Sequence, residues 1–194
     1  MLRVAFDYPV LLDLAGVPVL VVGGGPVALR KLTGLVNAGA VVTVIAPNIA
    51  DGIADLATVH RRPYATGDLT GYRLVITATD DPQVNAHVSA DAKAAGVFVN
   101  SADDPQNCTF ILPAIARRGP ITVAVSTGGA SPALASRLRD EIAATHLTPE
   151  LEAAAADLRA QRVAVRAAGV STEDIDWTDR IDTALGRESD DPRP

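Results

Sequence analysis

Gly23-Gly24-Gly25-Pro26-Val27-Ala28 fits the spacing G-x-G-x-x-A. Each small residue there has a physical use. Gly23 permits a tight turn, and Gly25 lets a pyrophosphate reach the backbone because no Cβ intervenes. Ala28 lets the following helix pack close to a sheet. The first N–H groups of that helix then face the anion. The string by itself is weak, but its setting supports it. The run before it, Val17 to Val22, is rich in β-branched residues, as a buried strand is, and Pro26 suits a first helical position. This points to a dinucleotide site; the competing reading is an ordinary strand-to-helix turn. The fingerprint usually places an acid about 20 residues further on to hold the ribose. This chain has Ala46-Pro47-Asn48 instead, and no arginine adjoins Asn48 for a 2′-phosphate, which favours NAD over NADP.

Two other segments could do acid–base chemistry. Asn100-Ser101-Ala102-Asp103-Asp104-Pro105 and Thr79-Asp80-Asp81-Pro82 each place paired carboxylates before a proline. A carboxylate near a cofactor can act as a general base. Equally, Asp-Asp-Pro can be a turn held by local side-chain bonds. His60, His87 and His146 have no metal-ligand spacing, so no metal site is expected. There is no G-x-S-x-G elbow and no G-x-x-x-x-G-K-[ST] loop. Cys108, the single cysteine, reads as packing rather than as a nucleophile.

The elements that must position these residues alternate. Strands are expected at 17–22, 41–46, 58–62, 73–78 and 97–100, and helices at 26–38, 48–57 and 82–95. That order predicts an α/β, Rossmann-type parallel sheet with helices on both faces. Ligands of such sheets bind beyond the carboxyl ends of the strands, here Gly23–Gly25, Ala46–Asn48, Ala78–Asp81 and Asn100–Asp104. The pattern then changes. Runs 109–116 and 121–126 flank Arg117-Arg118-Gly119-Pro120 and predict a β-hairpin. A lone hairpin exposes its edges, and a second copy of the chain is the simplest cover. Helices are expected at 132–144, 149–168 and 173–186. The organisation is thus a dinucleotide-binding domain over 1–112, a dimerisation hairpin and helix over 113–145, and a small helical C-terminal region over 146–194.

Composition narrows the function classes. The 194 residues carry a net charge of -6 with 48% apolar residues, so the chain is globular rather than disordered. No apolar run is long enough for a membrane span, and the first residues lack a signal-peptide pattern. With one cysteine, a reducing, cytoplasmic setting is expected. Few aromatics and an acidic balance argue against nucleic acid. The charge is uneven: residues 105–139 hold Arg117, Arg118, Arg137 and Arg139 and no acid. Such an island suits one polyanionic small molecule, or it is a solvated surface.

Four stretches together resemble precorrin-2 dehydrogenase, the sirohydrochlorin-forming module also found in siroheme synthases. They are Tyr8-Pro9-Val10 leading to Val21 through Lys31; Ala78-Thr79-Asp80-Asp81 with Asn85; Val99-Asn100 through Asp103 and Pro105; and Phe110 through Ala114 with Val125 through Pro132. The resemblance implies NAD-dependent oxidation of precorrin-2, an octacarboxylate tetrapyrrole, to sirohydrochlorin. It implies Asp103 as the catalytic base. It implies cofactor contacts at Gly23, Gly24, Gly25, Pro26, Val27, Pro47, Asn48, Thr79 and Asp80. Substrate contacts are expected at Asn100, Arg117, Arg118, Ser126, Thr127, Gly128 and Arg137. Relatives often have serine where this chain has Thr127, and the hydroxyl is kept. A homodimer is implied as well. Two rivals remain at this stage. One is a bifunctional enzyme that also inserts iron into sirohydrochlorin. The other is a non-catalytic, NAD-sensing regulatory module.

Overall fold

β1 (Pro18–Val22) has four consecutive buried residues, Val19 to Val22, so both its faces are covered. That explains its run of valine and leucine: β-branched side chains fit a pleated surface packed from both sides. The computed structural model describes Phe6, residues 8–102 and residues 104–187. The chain divides into two units, residues 1–112 and 113–194.

In the first unit, β1 is followed by α1 (Pro26–Asn37), β2 (Val41–Ile45), β3 (Thr58–His60), β4 (Leu74–Thr77), α2 (Pro82–Ala95) and β5 (Phe98–Ser101). The strands form one parallel sheet in the order β3-β2-β1-β4-β5. Residues alternate between its faces. Val19, Val21, Val44 and Ile76 meet Ala28, Leu32 and Leu35 of α1 on one side. Leu20, Val22, Val75 and Val99 meet Val88 and Ala92 of α2 on the other. Each fully buried side chain of this kind contributes roughly 1.5–3 kcal/mol. The chain order reverses at β1, between β2 and β4, and this is the position where open α/β sheets leave a crevice.

Two local expectations differ from the structure. Residues 48–57 form successive turns rather than a helix. Gly52 has φ +83°, and Ile53, fully buried, pins the segment to the α1-side core. The run 109–116 becomes a strand only from Ala114. The Thr109 and Phe110 N–H groups both donate to the Val99 carbonyl (2.8 and 3.4 Å), which holds them beside β5. Pro113 then has no N–H to donate.

The second unit holds the antiparallel hairpin of β6 (Ala114–Arg118) and β7 (Ile121–Val125), then α3 (Pro132–His146), α4 (Pro149–Ala167) and α5 (Thr178–Ala184). Helix α3 packs on both strands, and α5 packs on α4. Among the described residues, neither hairpin strand has a third strand beside it. The last helix is shorter than the expected 173–186. Trp177 Nε1 donates to the Thr172 carbonyl at 2.9 Å and Thr178 N–H to Asp176 Oδ1 at 2.9 Å, which ties 172–177 into turns. No helix among the described residues is long and apolar enough to cross a membrane.

Candidate functional site

The three glycines after β1 are there for three different reasons. Gly23 has φ +121°, and a Cβ on it would fall on the Ala78 carbonyl group at the end of β4. A Cβ on Gly24 would fall on the Asn48 carbonyl oxygen and lie 3.0 Å from Ile49 Cδ1. Both positions are therefore closed by packing. Gly25 is not. Its φ of -88° and ψ of -174° suit any residue, and a Cβ there would meet nothing within 4 Å. Neither conformation nor protein packing calls for glycine at 25. The open space over its Cα is the room that a close-lying ligand needs.

The helix behind that opening is set up for an anion. The three other long helices have side-chain caps: Asp81 on α2, Ser131 on α3 and Thr148 on α4. Helix α1 has none, and no acid sits in its first turn. Its N-terminal N–H groups and the positive end of its dipole face the opening over Gly25. A pyrophosphate satisfies both. The residues present thus fit a dinucleotide: Gly25, Pro26 and Val27 would hold its phosphates. Asn48, exposed after β2, would reach the ribose, beside exposed Pro47. The turn is braced by Ala50 N–H donating to the Gly24 carbonyl (2.7 Å).

Beyond β4, Asn85 of α2 organises the next turn. Its Oδ1 accepts from the Thr77 hydroxyl, the Thr79 hydroxyl (2.8 Å) and Thr79 N–H (3.3 Å), while its Nδ2 donates to the Thr79 carbonyl (3.0 Å). Asp81 Oδ1 accepts from Gln83 N–H (2.8 Å) and Val84 N–H (3.4 Å). Of the two carboxylates here, Asp81 is thus a helix cap, and Asp80 is exposed.

Beyond β5, a polar cluster faces α1. Asn100 is buried; its Oδ1 accepts from Lys31 Nζ (3.1 Å) and its Nδ2 donates to the Phe110 carbonyl (3.1 Å). The Cys108 sulfur closes the same loop. Ser101 N–H donates to it at 3.1 Å, and the Ser101 and Asp104 carbonyls lie 3.3 Å away as acceptors for its thiol. Asp104 Oδ2 accepts from Asn107 Nδ2 at 2.6 Å. The Ser101 hydroxyl is buried without a partner among the described residues. Asp103 lies outside the described residues; Ala102 N–H, just before it, donates to the Thr77 carbonyl (2.9 Å). Asn100 is therefore committed to bracing this loop. The sequence did not single out Lys31 as a partner for it, because 69 positions separate them.

Burial pushes the Cys108 thiol above its ordinary range, and Asp104 adds to this, against the Ser101 N–H, Lys31 and Lys93, which lower it. A raised thiol holds less thiolate at neutral pH and reacts slowly. Native protein is thus expected to consume a thiol-specific disulfide reagent slowly at pH 7, faster above pH 9, and rapidly once unfolded. Native reactivity at pH 7 equal to that of a free cysteine would contradict this packing.

In the second unit, three of the four arginines in the island are already paired. Arg118 lies 3.6 Å from Glu152, Arg137 Nε donates to Glu141 at 2.8 Å, and Arg139 Nε to Asp140 at 2.7 Å. Arg117 is exposed and has no hydrogen bond or ion pair among the described residues. The loop after β7 is internally built. The Thr127 hydroxyl donates to the Ser131 carbonyl and accepts from Ser131 N–H (both 3.0 Å), and Gly128 N–H donates to the Ser126 hydroxyl (3.2 Å). Gly128 and Gly129 take φ of +60° and +87°, the left-handed region that glycine favours. Among the described residues no group of three or more His, Cys, Asp or Glu side chains gathers as metal ligands.

Comparison with known proteins agrees with this architecture. Residues 10–114 match an NAD(P)-binding family model, and residues 118–145 match the model of the sirohaem biosynthesis protein central region. The siroheme synthase of Pseudomonas putida F1 is 50% identical over 144 residues, which is 71% of this chain and 31% of that protein. That of Methylococcus capsulatus Bath is 49% identical over 142 residues, 70% of this chain and 30% of that protein. This chain thus spans about a third of the length of the siroheme synthases it matches. The solved structure of SirC, a precorrin-2 dehydrogenase, superposes with a TM-score of 0.69 at 28% identity, covering 92% of this chain and 88% of that one. NAD is the cofactor that fits both the opening over Gly25 and these matches. With more than half its length in the first of them, the chain belongs to the NAD(P)-binding family, alongside the siroheme synthases and precorrin-2 dehydrogenase.

Proposed function

We propose that this chain oxidises precorrin-2 to sirohydrochlorin with NAD, on the route to siroheme. The observation that carries the reading is the open glycine under an uncapped helix at the point where the sheet order reverses. The likeness to SirC along most of the chain supports the choice of substrate.

The reaction removes a hydride from one carbon of the macrocycle and a proton from its neighbour. NAD, when bound, supplies the hydride acceptor. Asp103 takes the proton, and the Asn100–Lys31 and Cys108 contacts brace the loop on which it lies. Gly25, Pro26 and Val27 hold the pyrophosphate over the tight turn that Gly23 and Gly24 make possible, with Pro47, Asn48, Thr79 and Asp80 around the remainder. Ser126, Thr127 and Gly128 contact the macrocycle. Arg117 pairs with a substrate carboxylate and, having no hydrogen-bonded or ionic partner among the described residues, breaks no such contact to do so. Arg118 and Arg137 would first have to leave Glu152 and Glu141.

Two measurements test this. Adding precorrin-2 and NAD to the protein should raise absorbance at the NADH band, one NADH per macrocycle; no NADH would refute the function. A charge-assisted hydrogen bond contributes about 1.5–3 kcal/mol, so Arg117→Ala should raise KM by roughly 10–100-fold with kcat retained. Arg137→Ala should change KM far less. An unchanged KM in Arg117→Ala would remove that residue from the site.

The outer edges of β6 and β7, which no third strand covers among the described residues, support a homodimer formed through the hairpin. Sedimentation should then give the mass of two chains, and a monomer at micromolar concentration would exclude it. A cytoplasmic location completes the proposal, supported by the single cysteine.

A further inference from the structure

The second half of α4 presents a shallow basic face that the reaction above does not use. Arg159, Arg162 and Arg166 line it with Ala155, Leu158 and Val163, around a volume of about 410 Å³. Residues 158–172 contain these three arginines and no acid. Arg159 and Arg166 have no hydrogen-bonded or ionic partner among the described residues. Arg162 is held in place: its guanidinium lies 5.9 Å from the centre of the Trp177 ring, and its Nη2 is 3.4 Å from the Thr172 hydroxyl. The guanidinium of Arg180 lies 5.3 Å from the same ring, and its Nη1 donates to Gln161 Oε1 at 3.0 Å. Val163, 64% exposed, stands among the charges as bare apolar surface.

Helix geometry sets the size of what fits. At 1.5 Å per residue, Arg162 and Arg166 stand about 4.5 and 10.5 Å along the axis from Arg159. A ligand must therefore be compact, carry several carboxylates at that spacing, and offer an apolar face to Val163, Leu158 and Ala155. A long polyanion fits badly, because the first half of α4 carries Glu150, Glu152 and Asp157. Guanidinium groups bind carboxylates in a paired, directional way. We propose that this face of α4 is a second binding site, separate from the residues assigned to catalysis, for a flat, rim-carboxylated macrocycle of the substrate and product class. The choice of macrocycle rests on the function proposed above; the site itself rests on the arginines and the apolar floor.

Trp177 is the only tryptophan of the chain and touches Arg162, so it reports on the site. Uroporphyrin, an aromatic macrocycle with eight carboxylates, should quench its fluorescence saturably in the full-length protein. Arg159→Gln/Arg166→Gln and, separately, Val163→Glu should each weaken that binding at least tenfold. All three positions are exposed, so melting temperatures and the kcat for NADH formation should stay as in the parent. No saturable quenching, or equal affinity in the parent and both variants, overturns the site; the latter would place the porphyrin elsewhere on the protein. Loss of NADH formation with arginine-dependent quenching intact would refute the proposed reaction and leave this site standing. Normal turnover without such quenching would do the reverse.

Discussion

Asp103→Asn protein should bind NAD as tightly as the parent yet form NADH from precorrin-2 about 10²–10⁴-fold more slowly, the usual contribution of a positioned general base. Asparagine keeps the size of the side chain but cannot accept the proton. The neighbouring carboxylates provide the control. Asp104 Oδ2 is engaged by Asn107 Nδ2 at 2.6 Å, and Asp81 caps α2, so each already has a structural task. Asp104→Asn should therefore cost some loop order and little rate. The comparison is made by single-turnover absorbance with NAD saturating, so that only the chemical step is read. Full rate in Asp103→Asn, or a larger loss in Asp104→Asn, would move the base to another residue.

The second large effect separates folding from cofactor binding within three adjacent residues. Gly24→Ala places a methyl group on the Asn48 carbonyl and against Ile49 Cδ1 at 3.0 Å. Overpacking of this kind costs typically 1–3 kcal/mol or more, so its melting temperature should fall by several degrees. Gly25→Ala meets no atom within 4 Å and keeps an ordinary φ of -88°. It should fold about as well as the parent, the gain from a stiffer unfolded chain being offset by the preference for glycine over alanine at an N-cap. Its methyl group would occupy the pyrophosphate's place, so calorimetric titration should show NAD affinity lowered tenfold or more. Parent-like NAD affinity in Gly25→Ala would mean that the opening over that residue is not the cofactor's.

Much of this fold is legible in the amino-acid sequence. Strand and helix choice along residues 17–100 follows from local preferences: β-branched runs, proline at helix starts, and glycine at Gly39 and Gly96 after helix ends. The parallel sheet follows from their alternation, and the hairpin from the change of pattern at Arg117 to Pro120. Local preference misled at 48–57, where burial of Ile53 and the left-handed Gly52 outweigh a helical pattern.

The sequence determined which elements form and which residues lie at the carboxyl ends of the strands, because those properties depend on neighbours a few positions away. Only the tertiary structure decided what each residue there is free to do. It distinguished Gly25, beside open space, from Gly24, pressed against Asn48. It joined Lys31 to Asn100 across 69 positions and wrapped the loop after β5 around the Cys108 sulfur. It also altered the meaning of the acid-free stretch 105–139, since Glu152 folds back onto Arg118 while Arg117 has no partner among the described residues. Charge counted along a chain records neither distances nor surroundings, and the strength of an ion pair depends on both.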